Sequence, residues 1–523
     1  MGRNSKITVE KKKSLSRSFV TTLLIIASFV IQVVAILGIM TLFGIKYFWI
    51  ESAFKVLAVI VVLAISGRQT TSMVKIPWII AIITIPIFGV LLYLLTGSTG
   101  ATRKKKERYE KINSTILPLL PDKTKAFESL RKTSEISASQ AMYLKNAAKF
   151  PVYNNSNIKF FPSAEEAFED QLTEMEKAEK FIFIEYHAIE ESEPFGRMHE
   201  ILKRKAAEGV DVRLFFDYFG ASVFINSRDF VNKMNNDGIK CFVFNPFGIF
   251  FNIFLNNRDH RKITVIDGRT GYTGGFNIAD EYFNITSPYG HWLDTGVRID
   301  GEAVKSLTIT FMENWMAIRK TDAPERDPDK YLLKPQININ ENSFIQPYSD
   351  GPMTDEHVAE NVYANILTGA NRYVYFITPY LIISDELKYA FKLAARKGVD
   401  VRIITPGIPD KKIVYYLTRS NYHQLVTEGI RVYEYTPGFC HAKQCVSDDR
   451  VATCGTINLD FRSLYHHFEN GVQFFNCKAV SDIKSQFDEL FPQCEEVTEK
   501  YKKQKRGISY LIDQFMRLFS PLA

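Results

Sequence analysis

The chain has 523 residues, 46% of them hydrophobic, and a formal net charge of +7, which is enough for a membrane segment plus two globular lobes and too much for one compact domain. Its six cysteines, Cys241, Cys440, Cys445, Cys454, Cys477 and Cys494, are too sparse for a disulfide-stapled secreted scaffold and include no C-x2-C metal pair. They read as small buried apolar residues in a reducing, cytoplasm-facing protein.

The first 17 residues form a basic amino terminus with Lys11, Lys12, Lys13 and Arg17, and further basic clusters lie at Arg103 to Lys106 and at Lys502 to Arg506. Each cluster lies beside an apolar stretch, a placement that suits anionic lipid headgroups, at about 1 kcal/mol per basic residue near the surface, better than nucleic acid. Residues 18–100 then read as a transmembrane helical segment. From Phe19 to Phe43 the only strongly polar side chain is Gln32, and a helix of that length exceeds a hydrocarbon core of about 30 Å. It is too long for a secretory signal, and no small-residue cleavage site ends it. A second span is expected at 76–95, with Pro77, Pro86 and Gly89 inside it, since membrane helices tolerate such residues. A possible third, at 48–66, has a short apolar run, Val56 to Ile65, that can be extended only through Lys55 and Glu51, both costly at a bilayer centre. Basic residues at both ends of the segment place both ends in the cytoplasm, which requires an even number of spans. The expectation is therefore a multi-pass cell-membrane protein with two spans, a middle stretch that is interfacial or re-entrant, and cytoplasmic catalytic lobes.

After a basic linker at 101–144, strands alternate with helices and the chain repeats itself, with lobe 1 expected at 145–335 and lobe 2 at 336–495. In the first copy Phe181-Ile-Phe-Ile184 leads to Ala207-Glu-Gly-Val-Asp-Val-Arg213, and in the second Tyr373-Val-Tyr-Phe-Ile377 leads to Arg396-Lys-Gly-Val-Asp-Val-Arg402. Gly209 and Gly398 sit where a helix should end, and Val-Asp-Val opens the next strand. The fold class that follows is α/β, two duplicated lobes of mixed sheets flanked by helices, behind the transmembrane segment.

The residues that carry chemistry repeat too. Asn257-Arg-Asp-His260-Arg-Lys262-Ile-Thr-Val-Ile-Asp267-Gly268 precedes Gly274-Gly275-Phe-Asn277, and His441-Ala-Lys443-Gln-Cys-Val-Ser-Asp448 precedes Gly455-Thr456-Ile-Asn458. In both copies Lys follows His by two residues, Asp by seven and Asn by seventeen. Alternation along a strand sends His260 and Lys262 into one cleft and Arg261 and Ile263 to the other face. Two histidines suit displacement at phosphorus, one attacking as neutral imidazole and one supplying the leaving group's proton. Lys262, Lys443, Asn277 and Asn458 would hold the transition state's charge, with Gly275 and Thr456 bringing backbone close to the phosphate, so that neither metal nor cofactor is required. Asp267 and Asp448 complete the catalytic signature, but Asp267-Gly268 and Asp448-Asp449 are turn signals, and the aspartates read as mainly structural. A nucleophilic histidine also wants a carboxylate on its other ring nitrogen. Glu469 is the candidate for His441, and Asp294, in His291-Trp-Leu-Asp-Thr-Gly-Val, is the candidate for His260. His187, His199, His466 and His467, taken singly, read as satisfied core residues.

With these motifs the chain resembles the phospholipase D superfamily and, within it, the bacterial cardiolipin synthases. The resemblance extends over nearly the full length and includes Trp292-Leu-Asp-Thr295 with Gly301, Thr378-Pro-Tyr380, Gly455-Thr-Ile-Asn-Leu-Asp-Phe-Arg-Ser463 and Phe468-Glu469. It implies two lobes meeting at a shared cleft, a covalent phosphatidyl-histidine, and transfer between two phosphatidylglycerols to give cardiolipin and glycerol. By that likeness His260 is the nucleophile and His441 the acid. Cys440 and Cys454 depart from the family pattern, where aliphatic residues are usual, without removing a reacting group. Two other functions stand beside this one: a phospholipase D-type hydrolase using water as acceptor, and a non-catalytic membrane protein that binds anionic lipid. The tail, 496–523, carries Ile508, Leu511, Ile512, Phe515, Met516, Leu518 and Phe519 at helical spacing behind its basic cluster. It reads as an interfacial amphipathic helix, with packing against lobe 2 as the alternative.

Overall fold

The computed structural model describes residues 48–68, 71–96, 103–221, 225–246, 257–319, 328–333, 343–503, 507–518 and 520. The chain divides into an amino-terminal helical unit, residues 1–99, with which Ile225 and Asn226 also group, and a larger α/β unit that begins at residue 100.

In the amino-terminal unit the expected span at 76–95 is two helices, Ser72–Thr84 and Pro86–Thr96. Pro86 has no N–H to donate, and the residue before a proline is driven out of the helical region. Ile85 accordingly takes φ −135° and ψ 79°. Past the break the backbone doubles back so tightly that a Cβ on Gly89 would lie 2.6 Å from the Ala81 carbonyl oxygen, so only glycine fits. Phe48–Ser66 forms one helix, and the three helices meet around Ala58, Ile65, Ile82, Val90 and Tyr93. Val56, Val59, Ile60, Leu63, Ile83 and Leu94 stay exposed. Among the described residues no helix is long and apolar enough to cross a membrane. The apolar run Phe19 to Phe43 lies outside the described residues.

The α/β unit contains the two expected lobes. The first sheet runs, in spatial order, Ser156–Phe161, Gly296–Gly301, Thr270–Gly274, Ile263–Ile266, Phe181–Tyr186, Asp211–Asp217, Lys240–Phe244. The second runs Phe344–Asp350, Glu469–Phe475, Val451–Gly455, Gln444–Ser447, Tyr373–Ile377, Asp400–Pro406, Arg431–Tyr435, with Cys494–Glu496 added at the edge. Strand for strand the orders correspond, and so do the directions. In each sheet the last three shared strands are parallel and the other pairs antiparallel. The registers also match, since Phe181 faces Asp211 and Tyr373 faces Asp400, the aspartates of the two Val-Asp-Val segments. Gly209 and Gly398 follow their helices with φ +92° and +86°. A Cβ at either would meet nothing within 4 Å, so the left-handed turn alone, not crowding, calls for glycine.

The helix Val304–Ile318 is buried on nearly every face, with Trp315 among the largest fully buried side chains. Helix Arg103–Ile116, from the basic segment after the amino-terminal unit, docks on it through Tyr109 Oη to Asn314 Oδ1 (3.0 Å) and Asn113 Nδ2 to Glu313 Oε1 (2.8 Å). The lobes share their seam by hydrogen bonding. Asn470 donates to Thr273 Oγ1 at 2.8 Å and Thr295 Oγ1 to Gln444 Oε1 at 2.9 Å, and His291–Leu293 of lobe 1 pairs in parallel with Gly438–Cys440 of lobe 2.

Candidate active site

His260 and His441 each stand at the entrance to a central strand, Ile263–Ile266 and Gln444–Ser447, and the seam fixes both by the same exchange. The His260 N–H donates to the Phe468 carbonyl at 2.9 Å while Phe468 N–H donates to that of Arg258 at 2.8 Å; on the other side His441 N–H donates to the Leu293 carbonyl at 2.7 Å. Phe468 and Leu293 immediately precede the two candidate carboxylates, so the backbone pairing decides which carboxylate each imidazole meets. His260 Nδ1 lies 2.9 and 3.1 Å from the Glu469 oxygens, and His441 Nδ1 lies 2.6 Å from Asp294 Oδ2. The expected partners are thus exchanged: Glu469 serves His260 and Asp294 serves His441. Each histidine takes the carboxylate of the opposite lobe because the lobes exchange backbone hydrogen bonds at those two places. Both carboxylates are fully buried.

The alternation of faces holds. Arg261 turns away from the cleft to donate to Glu313 Oε2 at 2.8 Å, to the Thr310 carbonyl at 3.1 Å and to the Glu469 carbonyl at 3.2 Å. Lys262 and Lys443 are buried beside the histidines, and each ammonium donates to the carbonyl of its own motif's histidine, 2.6 Å away for Lys262. Burial, with Lys443 nearby and Glu469 pulling the other way, brings Lys262 down to about 7, and burial brings Lys443 down to about 8 against the pull of Asp294 and Glu469. Burial and the lysines also push His260 far below an ordinary imidazole, and His441 down to about 3 despite Asp294. Glu469 rises to about 7 through burial, opposed by Lys262. In Asp294 burial is again the largest influence, but His441 and Lys443 outweigh it and hold the carboxyl below its usual value. Two lysines and two imidazoles are thus buried side by side, where burial opposes the charged form of each, an arrangement that suits an anion, whose arrival would favour those charges.

The other signature residues divide by task. The Asp267 carboxylate accepts the backbone N–H groups of Glu179, Lys180 and Phe181 at 2.8–2.9 Å, and Asp448 those of Asn371, Arg372 and Tyr373 at 2.8–2.9 Å. Both aspartates have left-handed backbone, φ +52° and +55°, as turn residues do. Each ties the end of its motif strand to the start of the neighbouring strand. Gly275 and Thr456 occupy equivalent positions and treat the carboxylates differently. A Cβ on Gly275 would lie 2.0 Å from Asp294 Oδ1, whereas the Thr456 hydroxyl donates to Glu469. Asn277 donates to Tyr282 Oη at 2.9 Å and accepts from Ala188 N–H at 3.1 Å, while Asn458 Oδ1 is buried with no hydrogen-bond partner. Only the 3-10 turn Asp280–Phe283 and the five-residue helix Phe461–Tyr465 follow these asparagines, so little helix dipole reaches the cleft.

Two of the histidines read singly as core residues surround His260 instead. His187 packs edge-on to it at 5.0 Å between ring centroids and bonds the Asp259 carbonyl at 2.7 Å. His467 lies 5.7 Å away, and neither of its ring nitrogens has a hydrogen-bond partner. No repeat marks these positions, so the sequence carried no signal for them. Among the described residues His260, His467 and Glu469 are the only group that could hold a metal, with ligand atoms within 4.8 Å of one another; the Lys262 and Lys443 charges acting on His260 oppose a cation there. His441 is instead walled by Trp292, Tyr282 and Phe439, at 5.2, 5.5 and 5.8 Å.

Two His-x-Lys motifs on duplicated α/β lobes, meeting at one seam with a carboxylate behind each imidazole, define a phospholipase D-type centre. The family model described as cardiolipin synthase, PLD-like domain, matches residues 172–315 and 363–491, and that described as phospholipase D-nuclease N-terminal matches 54–98. The chain belongs to this PLD-like cardiolipin synthase family. A cardiolipin synthase of Clostridium perfringens is 32% identical over 462 residues, covering 85% of this chain and 93% of its own. An uncharacterized protein of Streptococcus mutans is 38% identical over 461 residues, 88% of this chain and 99% of its own. The fold is also that of a phosphatidylserine synthase of Haemophilus influenzae, which superposes with a TM-score of 0.55 at 15% identity over 74% of this chain and 98% of that one.

Proposed function

We propose that the protein is a cardiolipin synthase, a phosphatidyltransferase that uses one phosphatidylglycerol as donor and a second as acceptor. The observation that carries the reading is the pair of exchanged contacts, His260 with Glu469 and His441 with Asp294, which put one oriented imidazole from each lobe at one seam. His260 Nε2 attacks phosphorus and the bond to the headgroup glycerol oxygen breaks, with His441 delivering its Nε2 proton to that oxygen. Glycerol leaves and the phosphatidyl group stays on His260. A hydroxyl of the second lipid's glycerol then attacks the same phosphorus, its proton passes to His441, and cardiolipin departs with His260 restored. Lys262, Lys443 and Asn458 hold the non-bridging oxygens.

The outward apolar side chains of the amino-terminal helices support a membrane-held enzyme, and the basic residues that border that segment support lobes on the cytoplasmic side. Purified protein incubated with phosphatidylglycerol is expected to release cardiolipin and glycerol in equal amounts. Phosphatidic acid as the sole lipid product would overturn the reading in favour of a hydrolase.

A further inference from the structure

The carboxyl-terminal helix Ile508–Leu518 is fixed to lobe 2 by its polar side. Asp513, buried, accepts from the Tyr416 hydroxyl, and Arg517 donates to the Ser420 carbonyl, both on helix Lys412–Val426. That anchorage turns the apolar side outward: Ile508 is 77% exposed, Leu511 64% and Ile512 48%. Ile413, at the start of the anchoring helix Lys412–Val426, is 67% exposed as well. An apolar helix face held outward by specific polar anchors is costly in water unless something covers it.

Basic residues border this surface. Lys411 and Lys412 are exposed just before Ile413, and Lys503 just before the helix, next to Lys502, which pairs with Glu499. Lys411 also links the surface to the cleft, because its charge is felt at His260 and it lies beside Asp410, which accepts from Tyr380 Oη at 2.5 Å.

We infer that this face of lobe 2 seats on an anionic lipid leaflet and brings the mouth of the cleft to the headgroups, a second membrane contact separate from the amino-terminal helices. The basic border selects a negatively charged leaflet over a second copy of the chain, whose matching face would carry the same positive charge. The inference presupposes the lipid substrate proposed above.

The test uses the full chain in proteoliposomes of phosphatidylglycerol and phosphatidylcholine. Leu511→Trp, at a site exposed in the structure, is expected to add a blue-shifted emission quenched by lipids brominated near the glycerol backbone. No added quenching would overturn the inference, as would a blue shift that follows protein concentration in lipid-free detergent, the sign of a second copy. The double variant Ile508→Asp, Leu511→Asp is expected to raise about tenfold the mole fraction of phosphatidylglycerol needed for half-maximal rate. Its rate on short-chain phosphatidylglycerol below the micelle threshold should match wild type, which also shows that it folds. An unchanged mole-fraction dependence would overturn the inference. If wild type makes no cardiolipin from either substrate while the Leu511→Trp signal is quenched, the synthase reading fails and the seating face stands.

Discussion

Replacing Asp448 with alanine removes a buried carboxylate that holds three consecutive backbone N–H groups, those of Asn371, Arg372 and Tyr373. A hydrogen bond to a charged group contributes about 1.5–3 kcal/mol, but the freed donors at this turn partly recover water, so a loss of about 4 kcal/mol is expected for the three. Alanine at φ +55° adds about 1 kcal/mol of backbone strain. Asparagine retains one oxygen and tolerates the left-handed region, so Asp448→Asn should lose only about 2 kcal/mol. Against a total stability of about 5–15 kcal/mol, the alanine variant should unfold at markedly lower urea, followed by intrinsic tryptophan fluorescence. Cardiolipin formation per folded molecule, measured well below the midpoint, should stay within about threefold of wild type for the asparagine variant. If Asp448→Asn keeps the wild-type urea midpoint but loses about a thousandfold in rate, the aspartate acts in the chemistry and the structural account is wrong.

Gly275→Ala should be far more damaging than its size suggests, since the added methyl would lie 2.0 Å from Asp294 Oδ1. Displacing Asp294 from His441 is expected to cost about a hundredfold or more in kcat with the fold intact by circular dichroism, and a rate near wild type would refute the contact. Lys262→Met should abolish activity while stabilising the fold by about 4 kcal/mol at pH 7 and below, because burial brings this lysine down to about 7 and its charged form is therefore disfavoured in the folded chain relative to the unfolded one. That gain is full below the folded value and fades as pH rises towards the unfolded value of about 10.4. Urea midpoints whose difference is flat from pH 7 to 10 would contradict it. Turnover of phosphatidylglycerol labelled at phosphorus, quenched in alkaline denaturant because a phosphorus–imidazole bond is cleaved by acid, should leave the label on His260, and peptide mapping at alkaline pH to His441 would reverse the assigned order.

The groups proposed to react were legible because duplication displays them twice. His260, Lys262 and Asn277 recur as His441, Lys443 and Asn458, and turn chemistry alone marks Asp267 and Asp448 as structural, in agreement with the backbone N–H groups they accept. The carboxylate partners were legible as residues and not as pairs. Asp294 lies 147 residues from His441 and Glu469 lies 209 from His260, and only the docking of one lobe on the other decides between the two assignments. His187 and His467 were illegible for a related reason: each is a single residue without a repeat, placed beside His260 by tertiary packing. The break before Pro86 was signalled by the proline itself, but the tolerance of membrane helices for proline allowed a continuous span, and the backbone of Ile85 resolved the choice.

The two halves share a signature without sharing surroundings, and the difference separates two roles that identical motifs leave degenerate. Asp294 stays ionised 2.6 Å from His441, and the rings of Trp292, Tyr282 and Phe439 turn around that imidazole. A close carboxylate favours imidazolium, the form that would hold a proton for the leaving glycerol in the proposed reaction. Behind His260, Glu469 is pushed up to about 7 by burial and accepts the Thr456 hydroxyl, so it offers less negative charge to that ring. Burial, with Lys262 and Lys443 nearby, pushes His260 itself far below an ordinary imidazole. A histidine kept neutral while its Nδ1 is still oriented is the better nucleophile, which favours attack by His260 and protonation by His441. Thr456 and Gly275, a position where the repeated motifs differ in what they give their carboxylate, would then be the residues that make one half attack and the other donate.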